Sequence, residues 1–407
     1  MRILYIAPAH PALRRDNDRP YKGSIFFRHP DYDFLRTKAI HKDIDYIDER
    51  ITTLEYRPCD LVLIPVLTST LHRAVEIGAL FRRERTPVIF FGPLARIGQN
   101  YLLNHCDSVV IGDIGYALSE IISDLETNSL KRIYLARGVS FPINRSAENL
   151  PGFVRDYSRL RLLFGCGCPD HKEWCYEYYL FPEPVFCPVG IGLHLLSTMK
   201  RKRVVLIDDG IDSNPDYYLE FFKWSWPFHK EWIVTASGKI FDHPDLLLAM
   251  KRAGVRVIIL KPDFYKDRSY RQLGKDLTFI HHLRMIPGVT IRLDPEITSD
   301  LIDEVLSLPA DFALFPTLTP IPFTEEYESL RPVVDDFDFF DYGHPVIPDL
   351  NPGLIERVKD RYYSLDQIYR RLTRSIARIG FYNTFSYLLP INLALRQNFL
   401  EGIPYPP

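Results

Sequence analysis

Short apolar runs recur along the chain, each closed by glycine, proline or a polar turn, with helical patterns between them. In the first half, residues 2–7 read as a strand ending at Pro8, and residues 32–50 carry a helix-like spacing. Residues 60–66 form a buried-strand pattern, Leu67 to Thr70 a turn, and residues 72–83 an amphipathic helix with Ala74, Ile77, Leu80 and Phe81 on one side. Two further strands follow, residues 87–91 stopped by Gly92-Pro93 and residues 106–111 stopped by Gly112-Asp113. Strands alternating with helices at this spacing predict a parallel sheet. Ligands of such sheets bind beyond the carboxyl ends of the strands. That rule puts Thr68, Ser69, Thr70, Gly92, Pro93, Gly112 and Asp113 on one rim. The plainer role for the rim hydroxyls is helix capping.

Residues 128–159 lack periodicity, contain Pro142, Pro151 and Gly152, and read as a linker. The pattern then resumes. Residues 160–164 open a second series that continues with 203–209, 233–239, 255–260, 289–294 and 313–322, with a helix over 243–254 and helical sequence over 351–374.

A chain of 407 residues exceeds one ordinary core, so two domains are expected. The net charge of -2 argues against an electrostatic nucleic-acid surface, which needs clustered excess Lys and Arg. No apolar run reaches the ~18 residues of a membrane span, and the opening residues lack a signal peptide's long apolar centre. A cytoplasmic protein with reduced cysteines is the expectation. The 24 tyrosines and 26 phenylalanines suit broad apolar pockets and a sizeable, apolar small-molecule substrate. Phosphate-loop, His-Glu-x-x-His and Gly-x-Ser-x-Gly motifs are absent from the sequence.

Chemistry concentrates in Gly165-Cys166-Gly167-Cys168-Pro169-Asp170-His171-Lys172-Glu173-Trp174-Cys175, which holds three of the six cysteines. Thiols this dense on a loop, without a secretory signal, point to a metal or cluster before disulfides. An iron–sulfur cluster uses thiolate ligands. Zinc with His171 as a nitrogen ligand, and incidental small hydrophobes, are the alternatives. Cys187 is a candidate fourth member.

These segments resemble the cobalamin-dependent radical S-adenosylmethionine proteins across about nine-tenths of the chain. The rim runs ending in Thr68-Ser69-Thr70, Phe91-Gly92-Pro93 and Gly112-Asp113 are similar to that family's cobalamin-binding domain, which has a second glycine at Phe91 and Glu at Asp113. The resemblance implies a corrin across the rim, with Thr68, Ser69 and Thr70 beneath it and Gly92 and Gly112 permitting close approach. No Asp-x-His-x-x-Gly follows, so no histidine from that motif would bind cobalt. Radical S-adenosylmethionine domains carry Cys-x3-Cys-x2-Cys; Cys168-Pro169 and Cys175 match its ends, and Lys172 stands at its middle. Cys166 is the replacement ligand expected for a [4Fe-4S] cluster, with His171 and Cys187 as other candidates.

Further along, the resemblance implies that Asp208 and Asp209 end the second barrel strand, Lys239 follows the third beside the methionyl group, and Asp294 ends the fifth near the adenine. Plainer roles are helix capping for the aspartates and solvation for Lys239. Lys261-Pro262-Asp263 replaces the family's Gly with Glu-Ser, and Phe323 stands at a family glycine. The implied architecture is α/β: a Rossmann-like parallel-sheet domain over 1–132, a linker over 133–159, a partial (β/α)6 TIM-type barrel over 160–350, and a helical region over 351–407. The implied activity is methyl transfer or radical rearrangement at an unreactive carbon in a biosynthetic pathway, using cobalamin, a [4Fe-4S] cluster and S-adenosylmethionine. One alternative is a corrinoid-binding accessory or carrier protein that has lost radical initiation; another is non-radical methyl transfer from cobalamin.

Overall fold

The structure is a computed structural model that describes residues 1–15, 26, 28–141, 157–167, 176–181, 183–208, 211–262, 264, 269–296, 299–348 and 350–400. Its first sheet contains β1 (Ile3–Ala7), β2 (Ile44–Asp48), β3 (Leu61–Pro65), β4 (Val88–Phe91), β5 (Ser108–Ile111) and β6 (Ile133–Leu135), in the order β2-β1-β3-β4-β5-β6, all parallel. Successive residues of a strand face opposite sides. Ile3, Tyr5, Leu61, Leu63, Ile89 and Phe91 therefore pack with the helices Tyr32–Ile40 and Ile114–Glu126. Leu4, Ile6, Val62, Ile64, Val88 and Phe90 pack with the helix Leu71–Arg83 on the other face. Burial on both faces explains why these strands read as unbroken apolar runs.

Two segments differ from their sequence reading. The helix expected over 32–50 stops at Ile40, and residues 44–48 become the edge strand β2, paired with β1 through all of Ile3–Ala7. Ile44 joins the core of one face and Ile47 that of the other, so this strand is held from both sides. The segment read as a linker supplies β6, whose Val109↔Ile133 to Ile111↔Leu135 pairing extends the first sheet.

The second half contains β7 (Leu160–Leu162), β8 (Gly165–Cys166), β9 (Val185–Phe186), β10 (Arg203–Leu206), β11 (Glu231–Ala236), β12 (Val255–Leu260), β13 (Ile286–Thr290) and β14 (Phe312–Leu314). Six of these form a parallel sheet ordered β14-β13-β12-β11-β10-β7, while β8 and β9 make a small antiparallel pair. Strand order that follows chain order is consistent with a TIM-like domain, as the first sheet is with a Rossmann-like one. β13 begins three residues before the run 289–294 that announced it, at Ile286-Pro287-Gly288. Gly288 is required there because the Phe312 ring occupies the place a Cβ would take.

The helices Pro352–Tyr363, Leu365–Ile379 and Leu389–Leu400 close the chain. Ser375 Oγ donates to Asp311 at 2.6 Å, fastening this region beside the start of β14, and Tyr363 donates to the Ala313 carbonyl. Among the described residues no helix is long and apolar enough to cross a membrane.

Candidate active site at the second sheet rim

β7 leads directly into the cysteine loop, and a single carboxylate fixes how that loop begins. Asp208, two residues beyond β10 and fully buried, accepts the Phe164 and Gly165 N–H groups at 2.8 Å each and the Tyr218 hydroxyl at 2.6 Å. Burial and this carboxylate hold the Tyr218 phenol well above its ordinary pKa. Gly165 leaves room for the Tyr218 hydroxyl, which lies 2.5 Å from where a Cβ would stand. Gly165 and Cys166 then pair with Phe186 and Val185, so the chain leaves and returns at one neck. Gly167, at φ 97°, turns beneath the Phe181 and Glu183 carbonyls. Asp208 thus fixes Phe164 and Gly165, just ahead of the cysteines, a role the sequence did not distinguish from helix capping.

Cys166 is buried among Tyr32 and Leu163, with its Sγ 3.7 Å from the Val185 carbonyl. Cys187 lies in the main core with Sγ 3.6 Å from the Pro188 carbonyl, and burial pushes its thiol up to about 12. Cys168, Cys175 and Asp209 lie outside the described residues, as do Lys172 and His171. Of Cys166, Cys168 and Cys175, only Cys166 lies among the described residues. It stands at the neck, buried, with a thiol that a cluster would draw away from a carbonyl.

Farther round the rim, Asp212 accepts the Ser237 N–H at 2.9 Å and also its hydroxyl, fixing the end of β11. Sequence reasoning missed Asp212 and Tyr218, whose partners Ser237 and Asp208 lie on other elements. Lys239 is exposed on the turn Gly238–Asp242. Asp294 accepts the Glu296 N–H at 3.2 Å and lies 3.7 Å from Arg292.

The first rim is built differently. Asp113 caps the helix Ile114–Glu126, bonds Arg36 at 2.6 Å, and accepts the Ser140 N–H at 2.6 Å. Gly92 and Gly112, both at positive φ, face the Val66 and Ala136 backbones, which fill the space a side chain would need. Thr68 and Thr70 are buried, and Ser69 is half-buried on the same turn. The turn Phe337–Phe339 from the second half packs against Thr68–Thr70, while Ile321 enters the first sheet's core. A corrin lying on Thr68–Thr70 would meet that turn, so this arrangement does not fit the expected seat. Phe323 holds a left-handed backbone (φ 67°), and its ring lies 5.7 Å from Tyr101 and 6.0 Å from Phe337.

No family model matches the chain. Among proteins of known function it is similar to a bacteriochlorophyllide d C-12(1)-methyltransferase of Chlorobaculum tepidum, with 22% identity over 334 residues spanning 74% of this chain and 73% of the relative.

Proposed function

We propose that this chain is a methyltransferase that moves a methyl group from S-adenosylmethionine to a small-molecule intermediate of a biosynthetic pathway, at the rim of the second sheet. The observation that carries the proposal is the similarity to a methyltransferase over most of both chains. The neck at Gly165–Cys166 supports the finer reading, in which Cys166, Cys168 and Cys175 hold a [4Fe-4S] cluster. Such a cluster would supply the electron that cleaves one S-adenosylmethionine to methionine and a 5′-deoxyadenosyl radical, which would activate the acceptor carbon, while a second S-adenosylmethionine would supply the methyl group. The chain's own contribution is positional. Asp208 sets the direction of the loop, Asp212 fixes Ser237 at the adjoining strand end, and the apolar surroundings of Cys166 keep water away. Cobalamin belongs to this reading only if the Phe337–Phe339 turn moves off Thr68–Thr70, so no step is routed through it.

The experiment is anaerobic reconstitution with iron and sulfide, followed by S-adenosylmethionine carrying a labelled methyl group and bacteriochlorophyllide d as the first acceptor tried. Bound iron and S-adenosylmethionine turnover, both abolished in the combined Cys166→Ala, Cys168→Ala and Cys175→Ala variant, are expected. A reconstituted protein that neither binds nor consumes S-adenosylmethionine rejects the proposal. The second reading, an accessory protein that has lost radical initiation and binds a corrinoid once the Phe337–Phe339 turn moves, is favoured by Lys172 at the family's middle cysteine position and by Phe323. Cobalamin binding without cluster formation would select it.

A further inference from the structure

We propose that His72, Asp336 and Asp338 form a divalent-cation site joining the two halves of the molecule. His72 stands in the first turn of the helix Leu71–Arg83, which follows β3, and the two aspartates belong to the turn of the second half that covers this rim. The donor atoms of all three lie within 4.8 Å of one another. His72 Nδ1 is 3.2 Å from Asp336 Oδ1 and 3.8 Å from Asp338 Oδ1.

The neighbouring charges make an imidazole alone a poor answer to this geometry. Among the described residues, the basic groups within ion-pair distance of Asp336, Asp338 and the buried Asp341 are the imidazoles of His10, His72 and His344. Asp338 Oδ1 is shut off from solvent yet accepts no hydrogen bond. Buried carboxylate oxygens without partners are costly. One ring nitrogen cannot serve both carboxylates at hydrogen-bonding distance, whereas a cation between the three donors can. Thr70 Oγ1, at the start of the same helix, is likewise buried without a partner.

The donors are also held in place without an ion. His10 Nδ1 accepts the Ala12 N–H at 3.1 Å, so its Nε2 carries the proton and donates to the Asp338 carbonyl at 2.8 Å. Asp336 Oδ1 accepts the Asp338 N–H at 3.0 Å. His72 and Asp336 are partly exposed, which leaves water to complete the coordination shell. Two carboxylates and one imidazole suit manganese, iron(II) or zinc ahead of calcium.

Manganese(II) titration of the full chain, followed by electron paramagnetic resonance, tests this. Manganese is the probe of choice because it avoids thiolates, which separates this site from the cysteine loop. One bound ion per chain is expected, with an electron-spin-echo modulation from imidazole nitrogen that His72→Gln removes. Asp338→Asn should weaken binding at least tenfold while leaving the metal-free melting temperature within a few degrees of the parent. Absence of bound manganese at millimolar concentration, or a nitrogen signal that survives His72→Gln, overturns the proposal. Neither readout depends on S-adenosylmethionine, so failure here and failure of the proposed methyl transfer are separate outcomes.

Discussion

Asp113 and Asp208 occupy equivalent places, each just past a strand of a parallel sheet, each buried to the same degree, and they do opposite things. Asp113 turns inward on its own domain, capping the next helix and pairing with the Arg36 guanidinium. Asp208 reaches sideways to the neighbouring strand and gives its carboxylate to two backbone N–H groups and a phenol. The first carboxylate is used up within its own rim, and the second ties the segment after β7 to the end of β10. An aspartate at a strand end is therefore not evidence of a ligand until its acceptor capacity has been accounted for.

The largest effect expected from breaking this contrast is in Asp208→Ala. It strands three buried donors at once, so stability should fall by about 3–5 kcal/mol in urea unfolding. Iron uptake on reconstitution should be lost with it, whereas unchanged iron content would detach Asp208 from the loop. Asp113→Ala comes next, at about 2–3 kcal/mol, because Arg36 keeps Asp33 as a partner. Activity per folded molecule should survive this change; its loss would erase the distinction between the rims. Tyr218→Phe removes one hydrogen bond to Asp208 and should cost about 1 kcal/mol. Phe323→Gly relieves a left-handed backbone but loses ring packing, for a net change within about 1 kcal/mol.

Thiol labelling sharpens the contrast between the neck and the core. Cys187 and Cys106 are both pushed up to about 12 by burial. A raised thiol pKa leaves the protonated, unreactive form dominant, and at pH 8 the thiolate fraction is on the order of one in ten thousand. Mass-mapped alkylation of native protein at pH 8 should spare both cysteines, and rapid labelling of Cys187 would remove it from the core.

The doubly buried strands of the first sheet could be read from sequence because apolar runs of that kind have few other uses. β2 was hidden because Asp45 and Asp48 interrupt its apolar residues and it follows a helix after a short turn. The start of β13 was hidden by Pro287-Gly288, a pair that ordinarily signals a turn, and its glycine makes sense only once Phe312 is seen beside it. At the site, the sequence exposed the thiols and the strand-end aspartates. It concealed Tyr218, Asp212 and the meeting of His72 with Asp336 and Asp338, since each depends on how separate elements pack together.

The antiparallel step of Gly165–Cys166 against Val185–Phe186 gives the second domain a modular port. Entry and exit are adjacent, so the segment between residues 167 and 184 could change in length around its cysteines with the sheet below left in register. Change in that segment can then accumulate apart from the scaffold that carries it.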